Sequence, residues 1–350
     1  VSLGTPRRPV TLAQVAAEAG VSSATVHRVL NSAPHVPPRT ADQVNRAIAR
    51  LGRGAPIPRR MHDQTTATVL LRCPQPMDEH VGPLVSAAAD VLERSGWPVW
   101  LSVGEHVDVA GGPGILDPRR GVAGALFVQP SQTCHSLLAT RPSGLPAVVV
   151  DPRRAPPAGV TSVVADHREA GRLVARHVLG RGHRRVALLG GTCEGLMYAR
   201  RMDGLMSELN PAGATVSVVP AHLQLLTSTL DHGREVARWV LEQRTPPTAL
   251  ICLDDRLAAG AMQAAAELDL SVPDDLVVTG FGDYELSRAT VPRLTTVQQP
   301  LEALGRLGAT LLIDQLARRR VPLGETQVPV ELVARGSSAG PDRGAAVVPA

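Results

Sequence analysis

Leu12, Val15, Ala16 and Ala19 recur at the i, i+3, i+4, i+7 spacing that gathers side chains on one face of a helix. Thr11 stands before this run as an N-cap, with Gln14 three residues on in a capping-box arrangement. Gly20 closes it where a left-handed residue is needed, Val21 plugs the turn, and Ser22 caps a second helix with an inner stripe of Val26, Val29 and Leu30. Ser23, Ala24, His27 and Arg28 then face outward or sideways. A third stripe, Val44, Ala47, Ile48 and Leu51, follows Pro38 near its first turn and covers the other two helices. Two helices joined by a tight glycine turn and braced by a third predict a helix-turn-helix unit over 9–52.

From residue 67 the period changes. The apolar runs "TATVLLRC", "GALFVQP", "PAVVVD", "RRVALLGG", "TALICLDD" and "DLVVTGFGD" read as short buried strands. Between them lie amphipathic stretches at Pro83–Ser95, Glu169–Leu179, Asp231–Glu242 and Leu257–Asp269. This alternation predicts an α/β region, 67–340, of doubly wound parallel sheets with helices on both faces, where ligands gather at strand C-termini. The intervening residues, 53–66, hold Pro56 and Pro58, which remove donors and restrict their predecessors, so a linker is expected rather than a long helix starting before Pro58.

Charge separates the same two regions. Residues 1–60 carry nine arginines against Glu18 and Asp42, a net charge of +7, whereas the remainder of the 350-residue chain is −3. A basic segment with its own fold on a near-neutral body is the electrostatic footprint of a nucleic-acid-binding module.

Composition narrows the chemistry. Every basic residue is arginine, which excludes Schiff-base and P-loop lysine chemistry, and the aromatic residues are few, which leaves little to stack on a sugar ring. Cys73, Cys134, Cys193 and Cys252 form no CxxC pair and read as reduced core thiols of an intracellular protein, not as metal ligands. No run reaches membrane-span length and the first 20 residues lack a signal-type apolar core, so a cytoplasmic protein is expected. G-x-G-x-x-G does not occur, His167, His177 and His183 lack metal-ligand spacing, and the neighbours Asp254 and Asp255 point apart. An enzyme is not expected, nor a cofactor.

The stretch "VTLAQVAAEAGVSSATVHRVLN" followed by "TADQVNRAIARLG" resembles the N-terminal DNA-binding domain of the lactose/purine repressor family. The resemblance implies that Ser23 and Ala24 probe base edges, that Arg28 takes the arginine position of the recognition helix, and that Thr11, Ser22, Thr25 and Asn31 help fix the helix on the DNA. His27 replaces the usual serine, with a DNA contact and simple surface cover both open to it. An arginine fork can bond O6 and N7 of guanine, whereas Ser23 and Ala24 have little reach. In the linker, Arg53 replaces the family tyrosine and no leucine stands at the minor-groove wedge position, where Met61 is the available substitute, and Arg59 and Arg60 are candidate phosphate contacts.

The rest of the chain resembles the effector domain of the same family, which is similar to periplasmic sugar-binding proteins: two α/β subdomains with a cleft between them. "VADHREAGRLVARHVLGRGHRRVALLGG", "PPTALICLDDRLAAGAMQAAAELDLSVPDDLVVTGFGD" and "PRLTTVQQPLEALGRLGATLLIDQL" carry the likeness. It implies one subdomain of about 67–164 and 294–326 and a second of about 165–293 and 327–340. Asp151, Arg201 and Asp254 match ligand positions, with Arg201 just before its helix, but Gly282 stands where the family usually has aspartate. An aspartate ending a buried strand also caps the next helix, and Asp255 reads as that cap.

The function implied is a sequence-specific transcriptional regulator, more often a repressor. It would bind a palindromic operator in double-stranded DNA as a homodimer, with affinity modulated by a small polar effector, a sugar among the candidates. The alternatives are a regulator without small-molecule control and a periplasmic-type receptor, against which the basic head argues.

Overall fold

The computed structural model of the chain describes residues 12–30, 36–51, 67–74, 77–104, 114–117, 120–190, 195–219 and 229–339. The chain divides into two compact units, 1–66 and 67–350.

In the first unit α1 (Leu12–Ala19), α2 (Ser23–Leu30) and α3 (Pro38–Leu51) pack around Val15, Val26 and Val44, all fully buried, with Ala16 and Ala47 beside them. Gly20 takes φ +65°, and the Gly20 and Val21 amides turn back to the carbonyls of Ala17 and Ala16, which is the Schellman ending that a left-handed residue permits. Ser22 Oγ then accepts the Thr25 amide at 3.1 Å and starts α2. Thr11, Asn31, Arg59, Arg60 and the linker lie outside the described residues, as does the side chain of His27.

The second unit holds two six-stranded sheets. The first has the order β11-β5-β4-β3-β1-β2, from β1 (Thr68–Cys73), β2 (Val99–Val103), β3 (Val122–Val128), β4 (Ala147–Val150), β5 (Thr161–Ala165) and β11 (Glu325–Val328), all parallel. The second has the order β12-β10-β9-β8-β6-β7, from β6 (Arg185–Leu189), β7 (Thr215–Val218), β8 (Ala249–Cys252), β9 (Val277–Gly282), β10 (Thr295–Gln298) and β12 (Glu331–Val333), the last antiparallel.

Because side chains alternate along a strand, Val148 and Val150 enter one core while Ala147 and Val149 enter another, and both faces of each sheet are covered by helices. On the first sheet these are α4 (Val81–Arg94) and α11 (Leu301–Leu316) on one face and α5 (Gln132–Ala139) on the other. The second sheet packs α6 (His167–Gly180) with α7 (Leu196–Leu209), and α8 (Leu230–Leu241) with α9 (Asp255–Glu267), while the short α10 (Glu285–Ala289) follows β9. Gly171 and Gly204 let α6 and α7 touch backbone to backbone: a Cβ on Gly204 would sit 2.0 Å from the Arg168 carbonyl oxygen.

The chain passes between the sheets after Ala165, after Gln298 and after Val328. Residues 295–298, assigned from the sequence to the first subdomain, therefore belong to the second sheet, and 327–328 belong to the first. The physical reason is that β10 pairs with β9 from Thr295 and β11 with β5 through Val328, so each crossing waits for the end of a strand.

Candidate functional site

On the first unit, Ser23, Ala24 and Arg28 of α2 are exposed and Thr25 is half-buried, while Val26 on the same helix is fully buried. The helix thus presents a small polar face while its apolar stripe is seated on α1 and α3. Ser22 serves the turn: its hydroxyl is 2.8 Å from that of Thr25.

In the second unit, residues at the C-terminal ends of the two sheets meet: Tyr284, just after β9, lies against His80 ahead of α4, and His80 against Asp151, just after β4. Asp151 follows β4 with φ +51° and is fully buried. Its Oδ2 lies 2.7 Å from His80 Nε2 and accepts from Gln129 Nε2 at 2.9 Å, and its Oδ1 lies 3.2 Å from His167 Nε2. Burial raises the pKa of this carboxyl, but the hydrogen bonds of His167 and His80 outweigh it and hold the group well below the usual carboxylate range. Burial, with the nearby Arg201 charge, keeps His167 below the ordinary histidine value. A neutral His167 donates Nε2–H to Asp151, leaving its buried Nδ1 without a hydrogen-bond partner.

Arg201 lies in the second turn of α7, not before the helix as the sequence suggested: Tyr198, Arg201, Met202 and Leu205 share one inward stripe, so the helix begins at Leu196. Its Nη1 donates to the Leu253 carbonyl at 2.8 Å, and its guanidinium carbon sits 4.9 Å from the Phe281 ring centre and 5.3 Å from that of Tyr198.

The helix cap falls to Asp254 rather than to Asp255. Asp254 is the N-cap of α9, its Oδ1 accepting the Arg256 amide at 2.8 Å. Asp255, read from sequence as the cap, is instead fully buried and clamps two later segments, accepting the Tyr284 amide at 3.0 Å and the Thr296 hydroxyl at 2.5 Å. The cap needs an extended residue ahead of the helix, and Asp254 has φ −154°, ψ 148°. Burial, aided by the neighbouring Asp254 and Asp283 charges, pushes the Asp255 carboxyl up to about 7, and burial also raises Asp254.

Asp283 does not replace the aspartate missing at 282. It turns away from β9 with φ +56° and is held by Arg335 at 2.6 Å, Ser287 and Arg288 at 3.0 Å, and Gln298 at 3.2 Å. The structure thus brings Asp151, Arg201 and Asp254 to the inner ends of their strands and helices. It adds His80, Gln129, His167 and Tyr284, which sequence reasoning missed because they come together only in three dimensions. Their one local signal was Asp78 with His80 just ahead of α4, where Asp78 Oδ1 accepts the His80 and Val81 amides at 3.1 Å.

Among the described residues no helix is long and apolar enough to cross a membrane. Residues 11–52 match the model of bacterial regulatory proteins, lacI family, and residues 175–338 that of a periplasmic binding protein-like domain. The chain is 31% identical to the HTH-type transcriptional regulator MalR of Streptomyces coelicolor over 344 residues, covering 94% of this chain and 96% of that protein. Among solved structures it is similar to the lac repressor dimer bound to operator and the anti-inducer ONPF, with a TM-score of 0.68, 27% identity and coverage of 95% and 99% of the two chains. It is also similar to the transcriptional regulator CelR–cellobiose complex, with a TM-score of 0.65, 26% identity and coverage of 94% and 100%.

Proposed function

Since the chain belongs to the lacI family of bacterial regulatory proteins and is a DNA-binding transcriptional regulator rather than an enzyme, we propose that it is a repressor acting in the cytoplasm. It binds a palindromic operator as a homodimer and changes its DNA affinity when a small polar effector enters the cleft. The observation that carries this reading is the union of an exposed recognition face, Ser23, Ala24 and Arg28, with a buried polar cluster around Asp151, Arg201 and Asp254. Arg28 reads a base through its fork, and the two heads of the dimer read paired half-sites.

Arg201 offers donors and Asp151 and Asp254 acceptors for an effector. Ligand that closes or opens the cleft changes the angle between subdomains, and linkage then couples that angle to operator affinity. The test is selection of bound sequences from random duplex DNA, repeated with a library of small polar metabolites, sugars among them. A two-fold-symmetric motif whose retention changes with one of them is expected; sequences without symmetry would defeat the proposal. Gly282 favours a second reading, a regulator that answers to no small molecule.

A further inference from the structure

We propose that Tyr284 is the cleft's own occupant: it fills the place of the missing acidic side chain at 282 and ties the two subdomains together without a ligand. The inference rests on the reading of the cleft as the effector site.

Gly282 has φ +142°, and a Cβ built on it would fall 2.6 Å from Cε2, 2.8 Å from Cζ and 2.9 Å from Cδ2 of the Tyr284 ring. The glycine and the inward tyrosine are therefore one adaptation, since any side chain at 282 would collide with the ring. Tyr284 is 8% exposed. Its hydroxyl lies 3.1 Å from His80 Nδ1, and the two rings meet edge to face at 6.5 Å. With Nε2–H of His80 donated to Asp151, Nδ1 is the acceptor and the phenol is the donor, giving a continuous relay from Tyr284 through His80 to Asp151.

Tyr284 belongs to the second subdomain, whereas His80 and Asp151 belong to the first. A second tie runs beside it: the Arg256 guanidinium lies 5.4 Å from the Tyr284 ring centre and reaches Asp78 at 3.5 Å. The tyrosine amide is itself pinned by Asp255.

A polyol entering this cleft finds no carboxylate at 282 and reaches Asp151 only by displacing Gln129, His80 or His167. Tyr284 thereby determines specificity. To take its place, a ligand must bring a flat face for Arg256 and a hydroxyl for His80, the chemistry of a small hydroxyaromatic compound.

Hydrogen exchange of the full chain, without DNA, tests this at residues 77–82 and 282–289. In Tyr284→Ala both segments should exchange about tenfold faster or more, and p-cresol, which is the tyrosine side chain as a free molecule, should restore protection saturably. Toluene, lacking the hydroxyl, should fail to restore 77–82. Tyr284→Phe keeps the ring, so it should fold as the parent does and yet show faster exchange at 77–82.

Equal exchange at 77–82 in the parent and Tyr284→Phe, or equal rescue by p-cresol and toluene, would overturn the proposal. So would binding of cellobiose or ribose by the parent while residues 282–289 stay protected. Operator binding by the same proteins is read separately: if the parent bound no selected DNA, the repressor reading would fail while the exchange result stood.

Discussion

Replacing Asp255 by asparagine should remove a pH-dependent burden from the second unit. The wild-type carboxyl is fully buried between α9, Tyr284 and Thr296, and burial raises it to about 7 from an ordinary value of 3.8. Between those pH values the native protein holds a proton that the unfolded chain has released. Stability from this group is therefore fully present below about pH 4, declines as pH rises, and is lost above about pH 7. Roughly three pH units at about 1.4 kcal/mol each amount to about 4 kcal/mol.

Asparagine is nearly isosteric with the acid, can accept from the Tyr284 amide through its oxygen and can donate to the Thr296 hydroxyl through its nitrogen. It carries no titration. Urea unfolding of both proteins between pH 4.5 and 8, followed by circular dichroism, measures the difference. The contributions of Asp151, of His177 and of the other titrating groups are common to both proteins and cancel to first order. Asp255→Asn should gain on the parent as pH rises, approaching 4 kcal/mol by pH 8. A stability difference that stays constant with pH would refute the argument.

In DNA binding, Arg28→Ala should cost about 1 to 3 kcal/mol on the selected operator and relax preference at one symmetric base pair. Equal loss on all sequences in competition binding would assign Arg28 to phosphate. Gly204→Ala forces a methyl group against the Arg168 carbonyl. Overpacking of about 1 to 3 kcal/mol should lower the melting temperature by about 2 to 4 °C per kcal/mol in a unit of this size, and unchanged melting would mean that α6 and α7 separate freely. Arg335→Met leaves the buried Asp283 carboxylate with the exposed Arg288 as its remaining ion partner and should destabilise by about 1.5 to 3 kcal/mol, the worth of a hydrogen bond to a charged group. Adding Asp283→Asn should recover much of that loss in a double-mutant denaturation cycle.

What could be read from the chain was what is local. Val15, Val26 and Val44 announce their burial by helical spacing, and Gly20 and Ser22 announce the turn between α1 and α2. The inner strands β1, β3, β4, β6, β8 and β9 are equally plain because both faces are buried and the runs are largely apolar, whereas the inner strands β5 and β10 went unread because they are short and open on Thr161–Ser162 and Thr295–Thr296. The edge strands β2 and β11 were not, since their residues are half-buried or exposed and their apolar content is mixed. The α9 cap was misplaced by one residue because composition does not say which of two adjacent aspartates is extended.

The polar cluster hides for a different reason. His80 and Tyr284 are separated by 204 positions, and Asp255 and Thr296 by 41, so no spacing rule links them. Gly282 was visible as a departure, but its counterpart Tyr284 could be recognised only once the ring was seen where the side chain would have been.

The three crossings between sheets also bear on biosynthesis. The first sheet receives β11 and its covering helix α11 only from residues 301–328, after almost all of the second sheet has been made. Until then the side of β3 and β4 that carries Leu126, Val128, Val148 and Val150 lacks the helix whose Gly308 comes to rest against Val150. A ribosome that stalls before that point holds a nascent chain with a bare, aggregation-prone apolar sheet face. Chaperone demand during synthesis should therefore fall sharply only when residues 301–328 emerge.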